Sequence, residues 1–146
     1  MSFPRPSSVA FALLAFSALA YAAPQAELAV AHAAVGMELP DRWGEEHGLV
    51  PVVSRVTNHR EFLLRPDLGR RLSDASLELV RHHCAKRVDV QIIVADGLSA
   101  VACMQTGKQL ADLVVAQCHA RGLTTGTLIA ARYARVWLED EIGQEV

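Results

Sequence analysis

The stretch Val88-Asp89-Val90-Gln91-Ile92-Ile93-Val94-Ala95-Asp96-Gly97-Leu98-Ser99-Ala100 constrains the fold more than any other part of the chain. Its six apolar residues between Val88 and Ala95, most of them β-branched, predict a strand covered on both faces, as in a parallel α/β sheet. Gly97 allows a sharp reversal after that strand. Asp96 and Ser99 fall at its carboxyl end, where open α/β sheets place their ligands.

The flanking residues extend this reading. Ser73 is a good N-cap, and Leu77, Val80 and Cys84 recur at helical spacing, so a helix is expected over Asp74 to Arg87. Leu110, Leu113, Val114, Gln117 and Cys118 predict a second helix, with Gly122 as its C′ residue. Thr127 to Leu138 reads as a strand, and Glu139 to Val146 as the opening of another helix. Strand, helix and strand in about fifty residues make a βαβ unit with parallel strands. Upstream, Leu49 to Val56 is rich in β-branched residues but holds Pro51, which suits an edge strand or an extended connection. Pro40-Asp41 breaks the chain before a helical turn at Trp43 to His47, and Pro24 to Leu39 is Ala-rich. The expected fold is α/β: a partial open parallel sheet with a βαβ unit, preceded by a mainly helical segment. Residues 1–22 form a signal-like apolar segment or an aberrant start, 23–72 a helical and extended lead-in, and 73–146 an incomplete α/β domain.

At 146 residues, 51% of them hydrophobic, the chain has the size and composition of one globular domain. Fourteen basic against sixteen acidic residues leave a net charge of −2, no electrostatic footprint for nucleic acid or an anionic membrane. Three cysteines, Cys84, Cys103 and Cys118, have no CxxC spacing, which argues against a disulfide framework or a zinc knuckle. Arg5, the uncharged run Val9 to Ala20 and the small-x-small Ala20-Tyr21-Ala22 resemble a secretory signal. That run is too short for a stable membrane span.

The familiar site chemistries do not assemble. Gly107-Lys108 lacks the partners of a phosphate-binding loop, having Ala102 and Gln109 at the other key positions. Gly97-Leu98-Ser99 matches half of a nucleophile elbow, but Val101 stands where Gly is required. Asp112 and His119 follow in the right order for a triad, yet they share one predicted helix and could not both serve Ser99. His82, His83 and Cys84, like Cys118 and His119, are helix neighbours that point in different directions, so no metal site is expected. Arg65, Arg70 and Arg71 around Pro66-Asp67 suit either a carboxylate or phosphate grip or an ion-paired turn.

Four stretches carry a resemblance. They are Leu64-Arg65-Pro66-Asp67-Leu68-Gly69-Arg70-Arg71-Leu72, Asp89-Val90-Gln91 through Asp96-Gly97-Leu98-Ser99, Arg132-Tyr133-Ala134-Arg135-Val136, and Asp140-Glu141-Ile142-Gly143. In this order and spacing, from about Pro40 to Val146, the chain resembles the small subunit of ethanolamine ammonia-lyase. The resemblance implies an adenosylcobalamin-dependent lyase that converts ethanolamine to acetaldehyde and ammonia, the cofactor carrying the hard radical step. It implies a hetero-oligomer in which a large subunit holds ethanolamine and the catalytic groups, while the small subunit closes over cobalamin at their boundary. No catalytic residue is then expected here. The family's cobalamin contact falls on Val136, with Ala134 where the motif has Gly, a change expected to shift the backbone slightly. Further cobalamin contacts, in a Gly-Glu-Arg-Pro-Gly stretch and near a later Cys, and an early Gly-Arg-Ala-Gly segment have no counterpart here, so the chain reads as truncated at its C-terminus and atypical at its N-terminus. The implied location is the cytoplasm, including bacterial microcompartments. The alternative is an inactive fragment or an exported non-catalytic α/β binding module.

Overall fold

The computed structural model describes residues 10–11 and 37–146; most of the signal-like segment and of the Ala-rich lead-in lies outside them. The elements are β1 (Ala10–Phe11), α1 (Trp43–Glu46), β2 (Val50–Val53), α2 (His59–Leu64), a 3₁₀ turn (Leu68–Arg70), α3 (Asp74–His83), β3 (Val90–Gln91), β4 (Ile93–Ala95), α4 (Ala100–Ala102), a π turn (Cys103–Gly107), α5 (Lys108–Ala120), β5 (Ile129–Arg132) and α6 (Leu138–Glu145). Three strands form a parallel sheet in the order β2-β5-β4, and β1 runs parallel to β3. The fold is the expected α/β open parallel sheet, with β4, α5 and β5 as its βαβ unit.

Residues of β5 alternate between two hydrophobic layers, as the period of a strand requires. Ala130 joins Trp43, Leu49, Ile92, Val94, Cys103 and Ala111 on one face. Ile129 and Ala131 join Leu72, Val80, Leu138 and Ile142 on the other. Helices thus cover both faces, and the alanines of β5 let them approach closely: Gly44 of α1 packs against the Ala130 Cβ.

The caps are as expected. Ser73 Oγ accepts from the Ser76 amide at the start of α3, and Ser99 Oγ accepts from the Ala102 amide at the start of α4. Gly122 has φ +73°, and its amide donates to His119 O at 2.9 Å as α5 closes. Pro51 lies in β2, the edge strand of the three-stranded sheet, where its missing N–H is tolerated.

Three expectations need correction. The helix read to Arg87 ends at His83, where Cys84 is extended and Lys86 Nζ turns back to the Val80 carbonyl at 3.1 Å. The Val88–Ala95 strand is split at Ile92 into β3 and β4. The strand read over Thr127 to Leu138 covers only Ile129–Arg132, because Tyr133 turns to φ +50° and ends the ladder. In the sheet β5 is central: β2 from the lead-in pairs along one side and β4 along the other.

Candidate functional site

The residues that carry the family resemblance, scattered through eighty positions, meet around the turn after β5. Motif residues Gly69 and Asp96 hold that turn together with Phe62 and Ser54 from outside the motifs. Arg135 N donates to the Gly69 carbonyl at 2.8 Å. Arg135 Nη2 donates to the Phe62 carbonyl at 2.7 Å, and its guanidinium lies 4.1 Å over the Phe62 ring. Ala134 N donates to Asp96 Oδ1 at 3.3 Å, and Ser54 Oγ donates to the Tyr133 carbonyl at 2.8 Å. From α6, Glu141 accepts the Leu72 amide and pairs with Arg71.

Two glycines make this assembly possible by what they lack. A Cβ on Gly97 would run into the Ala134 carbonyl oxygen. A Cβ on Gly69 would lie 2.8 Å from Arg135 Cγ and 3.3 Å from the Tyr133 carbonyl oxygen. Gly97 therefore serves close backbone approach rather than a left-handed reversal. The left-handed residue is Tyr133, buried beside Phe62 with ring centroids 6.0 Å apart. Ala134 itself does not adopt a positive φ, so Ala is accommodated where the motif of the resemblance has Gly.

The turn delivers Val136 and Trp137 to the surface, 50% and 63% exposed. Val136 is four residues beyond the end of β5, not within a strand. It shares the rim of an apolar cavity of about 200 Å³ with Leu98 and Ser99, the cavity running down past Ala102 and Cys103 to Leu138 and Ile142. Leu98 is itself 63% exposed. Arg70 lies 4.9 Å over the Trp137 ring in a cation–π contact.

Electrostatics at this end are dominated by burial. Desolvation pushes the Asp96 carboxyl up to about 6 against the opposing pull of the Ala134, Tyr133 and Leu39 amides that face it. Burial, with Asp96 nearby, pushes the Cys103 thiol up to about 11, and its Sγ lies 3.1 Å from the Ala95 carbonyl oxygen. Burial and the Glu38 carboxylate push the Tyr133 phenol up to about 12.

The groups weighed for other chemistries are dispersed. Ser99 caps a helix, Asp112 takes Lys108 Nζ at 2.6 Å, and His119 Nε2 lies 2.9 Å from Thr125 Oγ1. No nucleophile and base come together among them. Arg65 grips Asp67 through two bonds of 3.0 and 2.7 Å, so with Arg71 on Glu141 and Arg70 on Trp137 the cluster is an ion-paired turn. Among the described residues, no three His, Cys, Asp or Glu side chains converge as a metal site, and no helix is long and apolar enough to cross a membrane.

Sequence reasoning missed Ser54, Tyr133 and the buried Gln91, whose amide Nε2 donates to the Thr127 carbonyl at 2.7 Å. Gly69 and Gly97, standing inside the resembling stretches, were the one local sign that backbones meet closely there.

The cavity is below the roughly 300–1,000 Å³ that enclosing small-molecule sites occupy, so it does not enclose a ligand of that size. Comparison with known families shows the ethanolamine ammonia-lyase light chain (EutC) matching residues 12–146, a span that starts well upstream of the Pro40 region where the motifs begin. By that match, over most of its length, the chain belongs to the ethanolamine ammonia-lyase light-chain family.

Proposed function

We propose that this chain is the small subunit of an adenosylcobalamin-dependent ethanolamine ammonia-lyase and that it offers Val136 to the cobalamin at the boundary with the large subunit. Membership of the light-chain family carries the reading, and it implies a large-subunit partner. When bound, adenosylcobalamin supplies the radical chemistry that opens the rearrangement of ethanolamine to acetaldehyde and ammonia.

The chain's own residues bind and shield. Val136 and Leu98 present apolar surface that excludes water from the cofactor face they meet. Trp137, propped by Arg70, extends that surface toward the partner. The Phe62, Gly69, Asp96 and Ser54 contacts hold the turn rigid, so the contact is made without an ordering cost at the moment of binding. Proton transfer and substrate binding fall to the partner subunit in this reading, in accord with the dispersal of Ser99, Asp112 and His119.

The test is reconstitution. Co-expression with a large subunit of the family should give a co-purifying complex that forms acetaldehyde from ethanolamine only when adenosylcobalamin is added. Absence of both complex and cobalamin-dependent acetaldehyde overturns the proposal and leaves the inactive binding module as the better reading.

A further inference from the structure

Asp96 has no part in the ion pairs found elsewhere at the surface. It stands at the end of β4, its own amide bonded to the Ala131 carbonyl at 3.1 Å, so its backbone belongs to the sheet. Its side chain crosses to the next connection, where Oδ1 accepts from Ala134 N at 3.3 Å and the Tyr133 and Leu39 amides also face the carboxylate. One residue later, Gly97 meets the Ala134 carbonyl. The Ala134 unit is thus held at its N–H by Asp96, while its C=O packs against the Gly97 backbone. That unit follows a left-handed Tyr133, a conformation that costs a non-glycine residue energy and persists only where its surroundings over-determine it.

We propose that Asp96 is the positioning residue for the Val136 contact: by accepting the N–H groups of Tyr133 and Ala134, its carboxylate holds the β5–α6 turn in the one conformation that presents Val136 beside Leu98 at the cavity rim. This role rests on the cobalamin reading of Val136 and deepens it, since half-buried Asp96 acts through the turn and not on the ligand itself. A hydrophobic residue at position 96 would satisfy packing but leave those amides unpaired. The ionisable groups that surround it are Cys103 from the π turn and Tyr133 from the β5–α6 turn, with Glu38 and Arg132 behind Tyr133.

The experiment uses the complex with the large subunit and two variants, Asp96→Ala and Asp96→Asn, the second keeping one acceptor oxygen should the first fail to fold. Amide hydrogen exchange at pH 7.5 should be faster across residues 133–137 in Asp96→Ala. Cyanocobalamin affinity, followed by absorbance, should fall about three- to tenfold, the range of one hydrogen bond, with Asp96→Asn between it and the wild type. Unchanged exchange in the turn overturns the proposal, as does faster exchange with unaltered cyanocobalamin affinity. A wild-type complex that binds no cyanocobalamin overturns the underlying cobalamin reading instead, and the exchange data then judge separately whether Asp96 holds the turn.

Discussion

The carbonyl oxygen of Ala134 lies against the Cα of Gly97 with no room for a side chain between them. Two connections that each follow a parallel strand, one after β4 and one after β5, are locked together at that point. The placement of Leu98 from one connection beside Val136 from the other depends on that distance being kept.

Gly97→Ala should therefore be among the most damaging single-methyl changes in the chain. The obstructing atom is backbone, so relief requires one turn to move. A destabilisation of about 2–3 kcal/mol is expected in urea unfolding, with loss of the large-subunit complex. A variant as stable as the wild type would show that the two turns are not rigidly coupled.

Val136→Asp tests the surface itself. Val136 is half exposed, so the fold should tolerate the change within about 0.5 kcal/mol. A carboxylate desolvated against an apolar cofactor face without a partner should weaken cyanocobalamin binding by the complex about tenfold or more. Equal affinity would place the cobalamin contact elsewhere.

Ser99→Ala separates a cap from a nucleophile. Losing the bond from Oγ to the Ala102 amide should cost about 1 kcal/mol of stability. Acetaldehyde formation per assembled complex should be unchanged, whereas a thousandfold loss would return Ser99 to the chemistry.

The pH dependence of stability follows from Asp96. Its folded value, about 6, lies above the ordinary 3.8, so the folded state holds the proton more tightly than the unfolded chain. Its contribution is present in full below about 4 and is lost as pH rises through about 6. Melting temperatures of wild type and Asp96→Asn, compared between pH 4.5 and 7.5, should show a decline in the wild type that is smaller in the variant. An identical pH response would mean that Asp96 is not buried in solution.

Much of the fold was legible in the residues. Ser73, Ser99 and Gly122 mark helix ends through hydrogen bonds that reach four residues or fewer along the chain. Pro51 marks an edge strand because a missing N–H cannot serve a central one. Val136 was reached by the resemblance of its motif, and the composition around it held no sign of a surface contact. The strand read through to Leu138 failed for a related reason: alanine, valine and tyrosine continue a strand locally, and nothing near them in sequence announces that Tyr133 turns left-handed.

The helices, the caps and the parallel βαβ order thus follow from chemistry between near neighbours and from the periodicity of apolar residues. The turn that forms the candidate site does not. Its Tyr133 carbonyl is bonded by Ser54, 79 positions away, and its Ala134 amide by Asp96, 38 positions away. Only the folded sheet, with β5 between β2 and β4, brings those groups within reach. The tertiary structure alone therefore decides that Val136 stands beside Leu98 at the surface.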